Sequence, residues 1–537
     1  MFTPAEADKI SPYFTNLDRP VFALVNLPET VKGALFARYS RSAKSLRRLF
    51  LDEFLDETAG LAPPKPRNGE GGPPVQSATG SARAERLYQR VLSEYGDDSV
   101  AQLGGVHLAV EDASNLLTKV LERGRLMAYL EQSTRYIPYT DRRGDAWRYH
   151  VPAELDGHPL RDHFAGVMNE TFETYARWID PMREWFERRY PKAATDSDAV
   201  YRQAIRAKAL DTLRGLLPAA TQSNVGIFGT GQGYEALLLR MRAHPLEEVR
   251  ATADAVLAEL RKVIPAFLTR VDQPDRGGRW TAYFEETRDA TLALAHRLRS
   301  DAAPSPRDEV TLTDFDADGE IKVVAAALYT SSSQPDDELM AAARRMTAEE
   351  RAAVLAAYVG ERGNRRHKPG RAFERTSYRF DVLSDYGAFR DLQRHRLLTI
   401  DWQALAPRHG FVQPEAVIEA GGDADWQGVM RRSAELYDAL ADAGLSTVAQ
   451  YAVSMAYRVR FVMDMNAREA MHVIELRTAP AGHPAYRRVC QQMNRLIADR
   501  AGHHAIAASM KFADHTTVEL ERLQEERRLE AKRQVRA

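Results

Sequence analysis

The chain has 537 residues, a length that suits two large domains or one domain present twice. Lys+Arg 74 against Asp+Glu 75 gives a formal net charge of −1, which excludes bulk coating of nucleic acid. Cys490 is the single cysteine, so neither an intrachain disulfide nor a cysteine-built zinc site can form, and a reducing cytosol is the expected setting. No apolar run approaches the ~18 residues of a membrane span. The start, MFTPAEADKISPYF, lacks the basic-then-apolar order of a signal peptide.

In chain order, residues 27–55 place Val31, Leu35, Phe36, Leu46, Leu49 and Phe50 at helical spacing after Pro28, predicting a long amphipathic helix. Residues 62–82 are rich in Pro, Gly and Ser and read as a surface loop. Residues 86–96 and 106–130 read as helix, and AWRYHVPAEL as extended or irregular. Between 160 and 300 the texture is helical; Val249, Ala253, Val256, Leu260 and Val263 form one stripe. The segment 300–310, which begins SDAAPSPRDE, reads as an inter-domain linker. EVTLTDFD and the start of IKVVAAALYT are strand-like, and helix returns beyond them. Residues 517–537 read as a charged, solvated helical tail. The class is α+β, mainly helical.

GTGQGYE at 229–235 lacks the G-x-G-x-x-G order and the βαβ setting of a dinucleotide loop, and reads as a glycine-permissive turn or close helix contact. His503 and His504 are adjacent and would diverge on a helix, so no metal site is expected there. Two arginine clusters carry more. In 122–139, Glu131, Ser133, Arg135 and Tyr136 share five residues before Pro138. A serine hydroxyl and a guanidinium two residues apart can hold a phosphate, although Glu131 and Arg135 at i,i+4 also suit a surface ion pair. In 392–401, Arg394, His395 and Arg396 stand in a row, fitting an anionic ligand or a solvated basic turn.

Taken together these clusters resemble the flavin-dependent thymidylate synthases, whose pattern is R-H-R, seven residues and a serine, running on as E-x-S-x-R-Y. Residues 123–136 supply Arg123, Arg125, Glu131, Ser133, Arg135 and Tyr136, departing at Gly124, Ala128 and Leu130. Arg394-His395-Arg396 is an intact triplet, after which Thr399, Trp402, Ala404 and Ala406 depart from the pattern. Phe373-Glu374, with His367 upstream, resembles the family's H-x-[ST]-P-F-E segment. Asn466, Arg468, His472 and Arg477 match its N-A-R helix ending in L-R, for which the first half offers Arg242 and glycines. Arg214 stands where the family places a further nucleotide-binding arginine.

The resemblance implies two diverged copies. The expected layout is a first copy at 1–300, a linker at 301–312, a second copy at 313–516 and the tail at 517–537, with an insertion within 145–200. It also implies the following roles. Glu131, Ser133, Arg135, Arg214 and Arg394 would bind dUMP. Arg394, His395, Arg396, Glu374, Asn466, Arg468 and His472 would hold FAD. Arg477, with Arg242 as its rival, would activate the pyrimidine. Methylenetetrahydrofolate and NADPH would be co-substrates, no metal is called for, and a cytoplasmic homodimer would imitate the family's homotetramer. One copy keeps the nucleotide residues and the other the flavin residues, so a composite site is expected. The open alternatives are one-carbon transfer to another pyrimidine nucleotide, a non-catalytic flavin- or nucleotide-binding regulator, and a helical scaffold with fortuitous basic clusters.

Overall fold

A computed structural model describes residues 2–55, 102, 104–144, 146–298, 307–520 and 522–536. Residues 62–82 and 86–96, read above as loop and helix, and residues 301–306 of the linker lie outside them. The chain forms two compact units. The first comprises Met1–Ala176, Pro218–Ala303 and Glu435–Ala452; the second comprises Arg177–Leu217, Pro304–Ala434 and Val453–Ala537. Each unit therefore contains one segment from the other half of the sequence.

The first unit is built on an antiparallel sheet of β1 (Val21–Leu24), β2 (Gly105–Ser114), β3 (Met127–Glu131) and β4 (Gln222–Thr230), in the order β1-β2-β4-β3. Helix α1 (Asn115–Leu121) leaves β2 directly. Helix α2 (Gly231–Arg242) leaves β4, and α3 (Glu247–Arg261) follows it. Ser114 and Thr230 cap α1 and α2, their hydroxyls accepting from the amides of Leu117 and Gly233 and so satisfying donors that an open helix start leaves unpaired. The stripe read from the sequence on α3 is in the core, with Val249, Ala253, Val256 and Leu260 at 0% exposure.

The second unit repeats the plan. Strands β5 (Val310–Phe315), β6 (Ser377–Asp385), β7 (Thr399–Trp402) and β8 (Arg458–Asn466) form an antiparallel sheet in the order β5-β6-β8-β7. Helix α4 (Tyr386–Leu392) leaves β6 and α5 (Ala467–Arg477) leaves β8, capped by Asp385 and Asn466. Helix α6 (Pro484–Asp499) packs on α5. Along β8 every second residue is buried, the period-2 signature of a strand with one face on the core.

Several expectations change. The single helix over 27–55 is two, Glu29–Tyr39 and Leu46–Glu53, parted by a turn. Residues 106–130 are strand, helix and strand rather than helix, because β2 is buried on both faces and shows no alternation. IKVVAAALY lies within the helix Gly319–Tyr329, with Thr330 as its C-cap, and there alanines outweigh the two valines. The tail does form the helix Leu523–Arg536, but Arg527 is tied to Asp196 at 2.9 Å through its second nitrogen. Among the described residues no helix is long and apolar enough to cross a membrane.

Candidate functional site

In the second unit, three arginines and a histidine converge at the C-terminal ends of α4 and α5. Arg477 is the last residue of α5, one turn beyond the buried Val473 and Ile474 that anchor that helix. Its Nε donates to His395 Nε2 at 2.9 Å, and its guanidinium lies 5.4 Å from the Tyr486 ring centre. Asp391, near the end of α4, pairs with Arg394 and lies 3.5 Å from Arg214 Nη1 and 3.7 Å from Arg477 Nη1. Arg214 comes from before residue 300 and the other members from after it. The helix Asp198–Leu213 places Arg214 within the second unit.

Arg214 is 4% exposed, and its Nη2 finds no hydrogen-bond partner among the described residues. It passes over Gly387, where an added Cβ would come within 3.1 Å of Arg214 Nε. Arg214 also lines a cavity of about 460 Å³ with Lys208, Gly215, Asp385, Trp426 and Met455. A buried guanidinium with an uncommitted N–H is costly to leave unsatisfied, which fits a site for an anion.

His395 Nε2 accepts from Arg477, so in the neutral ring the proton sits on Nδ1, which faces Glu469 Oε1 at 3.7 Å. Burial, with Arg477, His472 and Arg394 adding to it, holds the ring well below the usual histidine range, so it stays neutral. Burial also lowers His472 to about 4 and raises Glu469 to about 7, the latter against the pull of Lys368, Arg468 and Arg396. His395, Glu469 and His472 place one ligand atom each within 4.8 Å of one another. A metal on Nδ1 would have to displace the proton that the Arg477 bond puts there. As arranged, the triad holds a proton.

The remaining expected flavin residues sit beside this cluster. Asn466 is spent as the cap of α5, accepting from the Glu469 amide. Arg468 donates to the Pro369 carbonyl and lies 3.5 Å from Glu374, which also pairs with Arg371. Arg396 is exposed and Arg394 half-buried. Arginine and histidine donors of this kind can hold an anionic, hydrogen-bonding group.

The other expected residues belong to the first unit. Glu131 is 3% exposed and lies 3.2 Å from the buried Lys119, which also bonds Glu122 at 2.6 Å. It therefore has a lysine partner within its own unit, and its burial is not that of a surface acid. Ser133 donates its amide to the Ser40 carbonyl and accepts at Oγ from the Arg135 amide. Arg135 is half-buried. Gly124, at the position of the triplet's histidine, has the Tyr129 hydroxyl 2.5 Å from where a Cβ would be, so a histidine cannot stand there without moving Tyr129. Arg242 pairs with Asp254 on α3. Counted from the caps Thr230 and Asn466, the counterpart of Arg477 is the fully buried Met241, and Arg242 lies one residue further round the helix.

The glycines of GTGQGYE are close contacts. A Cβ at Gly229 would fall 2.4 Å from Met127 Cε, and at Gly233 3.1 Å from Met127 Cγ. Cys490 is fully buried, and burial pushes its thiol up to about 12, so it stays protonated. His503 Nδ1 is 2.7 Å from the Tyr378 hydroxyl. Sequence reasoning missed Asp391 and Glu469. The one available signal was an acid three residues before a basic triplet.

The sequence model of the thymidylate synthase complementing protein family matches residues 64–266 and 311–501. A UPF0159 protein of Chlamydia muridarum is 36% identical over 537 residues, 99% of each chain. A UPF0159 protein of Chlamydia pneumoniae is 37% identical over 536 residues, 98% of each. A flavin-dependent thymidylate synthase of Clostridium tetani is 26% identical over 180 residues, 33% of this chain and 67% of that protein. A solved structure of a UMP/dUMP methylase from Streptomyces cacaoi, bound with 5-Br dUMP, has 19% identity and a TM-score of 0.30, covering 39% of this chain and 99% of that one. The chain belongs to the thymidylate synthase complementing protein family, that of the flavin-dependent thymidylate synthases, and carries the family's domain twice.

Proposed function

We propose that the protein is a flavin-dependent thymidylate synthase that methylates dUMP to dTMP with methylenetetrahydrofolate and NADPH, at one composite site per chain. The observation that carries this reading is the meeting of Arg214, from the first half of the sequence, with Arg394, His395 and Arg477 from the second. A nucleotide phosphate suits buried guanidiniums with an N–H to spare, and Arg214 offers one. By the family's pattern Ser133 and Arg135 of the first copy would serve as phosphate ligands, with Glu131 as the acid that orients their loop.

Arg477 is placed by its bond to a neutral His395. Close to a uracil N3 it would favour the ionised, nucleophilic ring by charge pairing. His395 can only accept at Nε2, so it steers Arg477 without competing for its charge. Arg394, Arg396 and His472 would bind FAD, with Asn466, Arg468 and Glu374 shaping that wall. The bound flavin would supply the hydride. No cysteine nucleophile takes part, as the state of Cys490 requires. A homodimer would give two such sites.

The test is a spectrum and a product. Purified protein should carry about one FAD per chain, bleach with NADPH, and yield dTMP from dUMP and methylenetetrahydrofolate. Methylation of UMP or dCMP in place of dUMP would move the substrate. Bound flavin that NADPH does not reduce would make the chain a non-catalytic binder.

A further inference from the structure

Asp391 is the member of the cluster for which no sequence pattern supplies a role. As a residue it is 9% exposed, and its carboxylate faces three guanidiniums. Oδ1 pairs with Arg394 Nη2 and lies 3.7 Å from Arg477 Nη1, while Oδ2 lies 3.5 Å from Arg214 Nη1. Three like charges gathered at one point repel strongly when partly buried, and one carboxylate offsets part of that repulsion. The neutral His395 contributes nothing to the balance. Three arginines and one aspartate leave two formal positive charges. The guanidiniums also stand already oriented on a point that an oxygen anion occupies.

We propose that Asp391 is a built-in counter-ion, holding Arg214 and Arg394 where the anionic group of a phosphomonoester binds and yielding their N–H groups to it, while it steadies Arg477 alongside. The identity of the phosphomonoester rests on the function proposed above; the anion exchange does not. Asp391 pre-organises the arginines and at the same time weakens anion binding, since an incoming phosphate meets a negative charge at the point of contact. It is a positioning residue, and its two effects separate on substitution. Removing the charge should tighten anion binding and loosen Arg477.

The experiment uses the full chain and inorganic phosphate, titrated calorimetrically into wild type, Asp391→Asn and Asp391→Glu. Asp391→Asn is expected to bind phosphate about tenfold more tightly, the scale of one charge removed at contact range in a partly solvated site. Its kcat with dUMP should fall. Asp391→Glu, which restores the charge, should bind phosphate within about twofold of wild type. A merely structural aspartate would not tighten phosphate binding when neutralised, so equal or weaker binding by a folded Asp391→Asn overturns the proposal. If that variant does not fold, a wild-type structure with phosphate decides. Asp391 withdrawn from Arg214 and Arg394 supports the exchange, and both contacts intact overturn it. Turnover of dUMP by wild type without tighter phosphate binding in Asp391→Asn would sink the counter-ion and leave the proposed function standing. Tighter binding without a methylated product from any pyrimidine nucleotide would do the reverse.

Discussion

The two units share a sheet order and two capped strand-to-helix junctions, yet they use the same positions differently. At the end of α5 the second unit has Arg477, bonded to His395. At the matching place on α2 the first has Met241, fully buried, with Arg242 turned to Asp254. After α4 the second unit presents Arg394-His395-Arg396. After α1 the first has Gly124, where the Tyr129 hydroxyl takes the side chain's room. The acid Glu131 of the first unit is closed off by Lys119. Once a diverged copy fills its ligand positions with apolar contacts and internal ion pairs, those positions serve stability. The chemistry is then concentrated where charges remain gathered and incompletely matched.

The sharpest test sets Arg477→Ala against Arg242→Ala. The first should lower kcat at least about a hundredfold, as loss of a charge aimed at a developing anion does, with flavin still bound. The second should stay within about twofold; equal losses would erase the contrast. Next, Lys119→Met leaves Glu122 and Glu131 buried without their cation and should cost about 3–5 kcal/mol in urea unfolding. A large loss of activity with no shift of the urea midpoint would restore Glu131 to a ligand role in its own unit.

Glu469 adds a pH signature to the second unit. Its folded-state ionisation at about 7 lies above the ordinary 4.5. Its contribution to stability is therefore complete below pH 4.5 and lost as pH rises through 7. Glu469→Gln should gain on wild type from pH 5 to pH 7 and level off above it; parallel stability curves would contradict the burial of that carboxyl. Gly215→Ala should destabilise by about 1–3 kcal/mol, because its Cβ would meet Trp426 at 2.8 Å and Ala456 at 3.0 Å. Gly166→Ala, exposed in the helix Arg161–Arg189 with nothing within 4 Å, should stabilise the first unit by about 0.5–1 kcal/mol in the same assay.

Much of the site's composition was legible in the sequence, because Arg394, His395, Arg396 and the α5 residues are local patterns. The stripe of α3 was legible for the same reason. What could not be read depends on partners far along the chain. Asp391 before a basic triplet looks like a solvated charge until Arg214 and Arg477 are folded against it. The β2–α1–β3 stretch misled because a strand buried on both faces carries no period-2 signal. Glycine's return in GTGQGYE was readable as close contact, but its partner Met127 was not.

The exchange of segments 177–217 and 435–452 has a consequence for how the protein is made. Synthesis proceeds from the N-terminus, and domains usually fold as they emerge. Here the first unit lacks Leu436, Leu440 and Val448 of its core until residue 452 has been added, long after its own sheet is complete. The second unit waits with Arg214 already synthesised and nothing to pair it. Neither core can therefore close until much of the second half of the chain has been made, and a chain severed near residue 300 should yield fragments that are soluble and active only when both are present in one cell.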